Sequence, residues 1–208
     1  MAERDLRPYE IPEEHEAVSD IIRRHSTNPA DVRIMALDRH DIFFARRVLD
    51  LGCGFGFMAE EVARRVHAQA VVTGVDALPA NREPFVARVR GAGRQARFVT
   101  ERLESALPCA PESFDLVVSS YSLYFFPQII PEVSRVLARD GLFLAVTHSM
   151  SSTRAVLRLA GLPVEGSPLL DQVGRFCAER GRGALSLLRQ GGTRGLPEPP
   201  ALLGGGGG

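Results

Sequence analysis

Five short apolar segments, separated by stretches with helical spacing, are the sequence feature that most restricts which folds this chain can adopt. The segments are apolar almost throughout, which is typical of strands covered on both faces. Between them apolar residues recur three and four apart, as at Ala59, Val62 and Val66. The alternation predicts an α/β fold with a mainly parallel sheet and helices on both faces. The predicted strands are Val48–Leu51, Ala70–Val75, Ala96–Thr100, Leu116–Ser119 and Leu142–Thr147.

The helix before the fifth strand has a predicted end. Its apolar stripe contains Ile130, Val133 and Leu137. Asp140 followed by Gly141 is expected to stop the helix, because glycine commonly closes helices.

Two helices are predicted ahead of the first strand. One covers Glu13–His25, and the second is expected to begin where Asn28 can cap it and Pro29 can take its first position. We expect residues 1–46 to cover the ligand edge of the sheet. His25, Ser26 and Arg33 are candidates to cover a cofactor there or bind substrate, with ordinary surface residues as the alternative.

The carboxyl-terminal part has weaker patterns. Residues 150–190 are expected to form helices. Residues 191–208 are rich in glycine and proline without apolar periodicity, so we expect this tail to be disordered.

Composition limits the partners. The 208 residues, 45% of them hydrophobic, suffice for one core, here assigned to residues 47–149. Equal numbers of acidic and basic residues, 25 each, favour a small-molecule partner over nucleic acid or a membrane surface. Three cysteines without metal-ligand spacing predict reduced thiols and no metal site. Without an apolar run of about 18 residues, the chain is expected to be cytoplasmic.

A glycine-rich loop follows the first strand. In "VLDLGCGFG" the glycines Gly52, Gly54 and Gly56 lie where open parallel sheets bind ligands, and they let a ligand approach the main chain. A dinucleotide fingerprint needs a glycine where this chain has Phe57. A nicotinamide-linked oxidoreductase is therefore a less favoured alternative.

The second strand ends in an acid. Asp76 closes "VVTGVD", twenty residues after Gly56. A carboxylate there can accept hydrogen bonds from both hydroxyls of a ribose.

These motifs together resemble the class I S-adenosylmethionine-dependent methyltransferases, most closely the methyltransferase 11 type. "VLDLGCGFG" and "VTGVD" resemble their first two motifs, and "LPCAPESFDLVVSSYSLYFF" and "PEVSRVLARDGLFLAVTHS" resemble the fourth and fifth strands with the helix between them. The resemblance implies a Rossmann-like fold, S-adenosyl-L-methionine as cofactor and methyl transfer to a small-molecule acceptor.

The resemblance also implies roles for residues. Asp50 would lie near the amino group of the cofactor, the residues after it would hold the methionyl part, and Asp76 would bind the ribose. An acid usual after the third strand is replaced by Arg102 or Leu103, although Glu101 or Glu104 could substitute. The predicted cofactor-binding residues are Asp50, Gly52, Cys53, Gly54, Phe55, Gly56, Asp76, Ala77, Leu103 and Ser119.

Three side chains are candidates for catalysis. His148 ends the fifth strand and is the candidate general base, with a histidine that only hydrogen-bonds the strand end as the alternative. Tyr121 and Tyr124 follow the fourth strand as neighbours of the methyl group or the substrate, with a core role as the alternative for Tyr124. Cys53 is interpreted as a small packing residue, since methyl transfer needs no covalent enzyme intermediate.

The two strands that ordinarily close this fold are not evident in the sequence. We therefore expect an uncovered edge on the fifth strand, which favours self-association, or helices that shield it. The ending also suggests an alternative function class, a cofactor-binding but catalytically impaired homologue with a truncated or frameshifted end.

Overall fold

A computed structural model describes residues 30–148 and 185–190 of the chain, together with a few residues nearer the amino terminus. For His148 and residues 185–190 the description covers the backbone alone. No helix in the described part is long and apolar enough to cross a membrane. The remaining described residues are Ile11, Glu14, Glu16, Ala17 and Asp20, of which the last four are helical. The candidates His25 and Ser26 lie outside the described residues.

The described residues form one sheet with helices packed on it. The helices are α1 Val32–Leu37, α2 Phe57–Arg65, α3 Arg82–Gly91 and α4 Ile130–Val136. The strands are β1 Arg47–Leu51, β2 Val71–Asp76, β3 Gln95–Thr100, β4 Phe114–Ser120, β5 Leu137–His148 and β6 Leu185–Gln190. Short 3-10 turns cover Pro79–Asn81, Leu123–Phe125 and Pro127–Ile129.

The strands lie in the order β3-β2-β1-β4-β5-β6, and every neighbouring pair within the described residues is parallel. The chain runs outward from β1 to β3 and then returns to place β4 on the other side of β1. The order reverses between β1 and β4, and ligands bind at such a point beyond the carboxyl ends of the strands. The predicted parallel α/β fold is confirmed.

The core lies on both faces of the sheet. Val48 faces a cluster with α1, α2 and α3, whereas its neighbour Leu49 faces a second cluster with α4. Successive strand residues thus enter different clusters and both are buried, which explains the uninterrupted apolar runs in the sequence.

Helix α1 begins later than predicted. Its N-cap is Asp31, whose carboxylate accepts a hydrogen bond of 2.9 Å from the Arg33 amide. The predicted cap Asn28 and first residue Pro29 lie outside the described residues. The side chain of Asp31 gives the first turn a partner, so the described helix starts at Val32.

The end of α4 corrects another prediction. The helix stops at Val136, and Leu137 is already extended and pairs with Phe114. Asp140 and Gly141 therefore lie inside β5 and do not end the helix. Hydrogen bonding to β4 therefore decides the structure here, and the helical spacing does not. Phe114 pairs with Leu137 and Leu116 with Leu142, so the register shifts between these pairs and β5 has more residues than β4 in this interval.

The last described strand corrects the predicted ending of the sheet. Residues 185–190 form β6, which pairs with β5 from Phe143 opposite Leu185 to His148 opposite Gln190. The edge of β5 is therefore covered by a strand, and the prediction of an uncovered edge there was wrong. The other predicted carboxyl-terminal helices and the glycine-rich tail lie outside the described residues.

Gly74 of β2 gives a test of this packing. A Cβ atom at Gly74 would lie 2.5 Å from two ring carbons of Phe85 and 2.6 Å from the Cys53 sulfur. We expect Gly74→Ala to lower the free energy of unfolding by about 1–3 kcal/mol, because a packed core resists added volume.

Gly91→Ala is the matched control for this substitution. A Cβ atom at Gly91, the last residue of α3, would meet no heavy atom within 4 Å. This variant should be more stable than the natural chain by about 0.4–1 kcal/mol. Urea denaturation of the three chains measures both effects, and equal changes in the two variants would contradict the packing described here.

Candidate functional site

The carboxyl ends of β1 to β5 bring the predicted site residues to one edge of the sheet. Each residue lies in the last part of a strand or in the loop that follows it. These residues are Asp50, Gly52, Cys53, Gly54, Phe55, Gly56, Asp76, Ala77, Leu103, Ser119, Tyr121, Tyr124 and His148.

The glycine loop is bonded to the end of β2. The amides of Gly52 and Cys53 both donate to the Val75 carbonyl, at 2.8 and 3.2 Å. Gly52 has a φ of 65°, and a Cβ atom there would overlap the side chain of Ser122, with its hydroxyl oxygen 2.7 Å away. Glycine is therefore required at this position, both for the backbone turn and for the space.

Gly54 lies at the open side of the same loop. Its φ is 51°, and a Cβ atom there would meet no heavy atom within 4 Å. Its amide donates to the Asp76 carboxylate at 2.9 Å. The space that a side chain would occupy at Gly54 is therefore open, and a ligand can approach the main chain there.

Asp76 connects three parts of the site. Oxygen Oδ2 accepts the hydrogen bond from Gly54, and Oδ1 accepts from the Leu78 amide at 2.9 Å and from Nδ2 of Asn81 at 3.0 Å. The carboxylate is half-buried. It fixes the glycine loop relative to the turn that begins α3.

Asp50 is a buried carboxyl group near Asp76. It is 1% exposed, and among the described residues neither of its carboxylate oxygens has a hydrogen-bond partner. Burial, followed by the charge of Asp76, raises its pKa to about 8. A cation that bound beside Asp50 would stabilise the ionised carboxylate, so the site favours a positively charged group.

Cys53 is buried, close enough to Asp50 and Asp76 for their charges to act on its thiol. Its burial is the main cause that raises the pKa of the thiol well above its usual value, and the charges of Asp50 and Asp76 raise it further. The protonated thiol packs against Gly74. This environment agrees with a packing role, because a reactive cysteine needs a lowered pKa.

Two serine hydroxyls hold the loop after β4 against the end of β1. Ser122 donates to the Leu51 carbonyl at 2.7 Å, and Ser119 lies 2.8 Å from the Ser122 hydroxyl and 3.1 Å from the same carbonyl. The two hydroxyl protons cannot serve all three contacts, and the shorter two define a chain from Ser119 through Ser122 to Leu51. Ser119 is fully buried, so in this structure its hydroxyl bonds protein groups.

Tyr121 occupies a conformation uncommon for a residue with a side chain. Its φ is 54°, and its amide donates to the Val146 carbonyl at 2.8 Å, which fixes the loop to β5. Burial, only partly offset by the charge of Arg33, raises its pKa to about 12. At neutral pH the phenol is therefore a hydrogen-bonding group and not a base.

The other two catalytic candidates are Tyr124, after β4, and His148, at the end of β5. Tyr124 is half-buried against the second cluster, the one with α4, and its ring centroid lies 4.6 Å from that of Phe125. His148 is the last residue of β5, at the ligand edge, and only its backbone is described.

Two arginines enclose the start of α2. The guanidinium carbons of Arg33 and Arg88 lie 4.8 and 4.4 Å from the ring centroid of Phe57. Arg33 also pairs with Asp31, and Arg88 bonds Glu16 at 2.6 Å. The amino-terminal segment is thus tied to α3 beside the loop, where the sequence suggested a covering role.

A clamp from α4 holds the loop after β3. The carboxylate of Glu132 accepts from the Leu107 amide at 3.0 Å, while Arg135 donates to the carbonyls of Leu107 and Cys109 at 3.0 and 2.7 Å. Leu103 and Leu107 belong to this loop, and both are buried. Arg102 is exposed, so Leu103 is the inward residue of the two that replace the usual acid.

Two polar residues of the site did not emerge from the sequence. Ser122 could have been suspected from the polar run "SSYS", in which it is three residues from Ser119. Asn81 ends the 3-10 turn after β2 and gave no sequence signal beyond following an acidic strand end.

Residues 48–141 match the family model described as a methyltransferase domain. Aklanonic acid methyltransferase of a Streptomyces species is 34% identical over 131 residues, which cover 61% of this chain and 57% of that protein. Ubiquinone biosynthesis O-methyltransferase of Idiomarina loihiensis is 37% identical over 106 residues, which cover 50% of this chain and 41% of that protein. The chain therefore spans about half the length of these relatives.

A solved structure agrees on the fold. A SAM-dependent methyltransferase from Aquifex aeolicus superimposes with a TM-score of 0.57 at 15% identity, covering 82% of this chain and 88% of that one.

Because Asp50 is buried, its ionisation should lower the free energy of unfolding by an amount that depends on pH. In the unfolded chain it ionises near its usual pKa of 3.8, and in the folded chain near 8. Between these values the folded chain binds more protons, so the contribution of Asp50 to stability falls as pH rises. The Asp50→Asn chain should become progressively more stable than the natural chain across this range, as measured by urea denaturation.

Asp115→Asn is the control with the opposite sign. Partial burial raises the pKa of Asp115, but hydrogen bonds from the Arg47 side chain and the Arg46 and Arg47 amides bring it below 3.8. This variant should be less stable than the natural chain at neutral pH, and the difference should shrink on acidification. A pH-independent difference between Asp50→Asn and the natural chain would refute the account of Asp50.

Proposed function

We propose that this chain transfers the methyl group of S-adenosyl-L-methionine to an oxygen atom of a small organic acceptor. Residues 48–141 match the methyltransferase domain model, and the two named relatives are methyltransferases. The bound cofactor supplies an electrophilic methyl group on a positively charged sulfur. The chain's own residues bind and orient the two reactants.

The buried carboxylate of Asp50 is the observation that carries this proposal. Two acidic groups, Asp50 and Asp76, lie near one another at the end of the sheet, and Asp50 lacks a partner among the described residues. A buried charge is strongly unfavourable unless it is paired. The ammonium group of the cofactor's methionyl part is a partner of the required sign, so the residues present fit this cofactor.

The remaining cofactor contacts follow the loops. The main chain of Gly52, Cys53 and Gly54 would hold the methionyl part, with Gly54 on the open side of the loop. Asp76 would accept from the ribose, and Ala77 and Leu103 would contact the adenine. An apolar Leu103 in place of an acid favours recognition of the adenine ring by packing.

The acceptor side is formed by the ends of β4 and β5. We propose that Tyr121 orients the acceptor through a hydrogen bond, since a phenol is protonated at neutral pH and burial raises the pKa of this one further, to about 12. His148 at the end of β5 is the proposed base that takes the acceptor's proton, with Tyr124 beside the acceptor. The names of the two relatives, one an O-methyltransferase and the other acting on aklanonic acid, support an oxygen acceptor on a small molecule.

Asp76→Ala tests the cofactor site. The substitution removes the proposed hydrogen bond to the ribose, so binding of S-adenosylhomocysteine should weaken by about 1.5–3 kcal/mol. Calorimetric titration of both chains measures the difference, and circular dichroism checks that the variant is folded. Glu83→Gln is the control, because Glu83 is an exposed acid at the start of α3 that is assigned no ligand. Unchanged affinity in Asp76→Ala would reject the ribose role.

Methyl transfer itself is tested with radiolabelled cofactor and a panel of phenols and carboxylic acids. Transfer to a phenol gives an ether that resists mild base, whereas transfer to a carboxylate gives an ester that mild base hydrolyses. Label in either product supports the proposal. Tight cofactor binding without transfer to any acceptor would favour the impaired homologue instead.

A further inference from the structure

Asp76 already accepts three hydrogen bonds, so it cannot accept one from each of the two hydroxyls of a ribose. A carboxylate offers about four lone-pair directions. Three are taken, by the Leu78 amide and Asn81 Nδ2 on Oδ1 and by the Gly54 amide on Oδ2. The ribose of the proposed cofactor carries two neighbouring hydroxyls, each with a proton to donate, so one of them needs another acceptor.

Asn81 carries such an acceptor beside Asp76. Its Nδ2 donates to Asp76, and this bond fixes which end of the amide is which, since Oδ1 facing the carboxylate would be repelled. Asn81 is 4% exposed, and within the described part of the chain its Oδ1 is buried without a hydrogen-bond partner. Buried acceptors without partners are rare in folded proteins and point to a missing donor.

The turn that carries Asn81 is held in place from its other side. Asn81 ends the 3-10 turn Pro79–Asn81 directly after β2, and Pro79 itself is exposed. The next residue, Arg82, bonds the Phe98 carbonyl at 3.3 Å and the Thr100 hydroxyl at 3.2 Å, both on β3. The position of the amide is therefore set by both neighbouring strands.

We infer that Asn81 is a cofactor-binding residue, whose Oδ1 accepts a hydrogen bond from one ribose hydroxyl while Oδ2 of Asp76 accepts from the other. The inference rests on the proposed function, because it assumes a ribose at the end of β2. It replaces the simpler expectation that Asp76 alone binds both hydroxyls.

The test uses the full chain and three ligands. These are S-adenosylhomocysteine and its two analogues that lack either the 2′- or the 3′-hydroxyl. The natural chain should bind each analogue about 5–30-fold more weakly than the parent ligand, as expected for one lost hydrogen bond. In Asn81→Ala the affinity for the parent ligand should fall by a similar factor. The analogue that lacks the hydroxyl bonded by Asn81 should then bind to this variant as tightly as the parent ligand does.

This selective loss separates ligand contact from a structural role. An amide that only held Asp76 in place would, when removed, reduce the contributions of both hydroxyls. Asn81→Ser gives a second variant with the same expected selectivity should Asn81→Ala fold poorly. Glu83→Ala is the matched control, because Glu83 is an exposed residue in the first turn of α3 that is assigned no contact, and this variant should leave the contribution of each hydroxyl unchanged.

Two results would overturn the inference alone. In the first, removal of either hydroxyl weakens binding to the Asn81 variants as much as it weakens binding to the natural chain. In the second, the effects of removing the two hydroxyls are reduced equally in the Asn81 variants. Absence of binding to the natural folded chain would overturn the proposed function and this inference with it.

Discussion

The hydrogen bonds between the glycine loop and the end of β2 are the constraint on which the site depends. Gly52 and Cys53 share the Val75 carbonyl, and Gly54 bonds the carboxylate of Asp76. Neither strand end could move without breaking this set. Because β1 lies at the centre of the sheet, the loop is supported by β2 on one side and by β4 on the other. The start of α2 and the turn before α3 take their positions from it.

The same arrangement brings acidic groups together at a cost to the folded state. Asp50 is buried near Asp76, and no described residue supplies a hydrogen bond to it. A hydrophobic or amide side chain would fit such a position at lower cost. Retention of a carboxyl group there is understandable if a bound cation completes the pairing, so part of the stability of the folded state then depends on the ligand.

Local sequence patterns predicted the parts of the fold that local physics decides. The buried strands and the glycine loop follow from apolar runs and from a turn that only glycine permits, as at Gly52. The errors lie where distant contacts decide. Leu137 continues a helical stripe but pairs with Phe114, and residues 185–190 join β5 across a long separation in sequence. Asn81 could not be assigned, because its unpaired oxygen is a property of packing and not of spacing.

The clamp from Glu132 and Arg135 links two functions that the fold could have kept apart. It fixes the loop that carries Leu103, the residue proposed to contact the adenine, to α4, the helix that continues directly into β5. The far end of β5 is the proposed acceptor side. A change that shifted this helix to admit a different acceptor would move the loop that carries Leu103 with it. Under the proposed function, acceptor preference and cofactor affinity would therefore be mechanically coupled, and divergence toward a new acceptor would require compensating changes within the clamp.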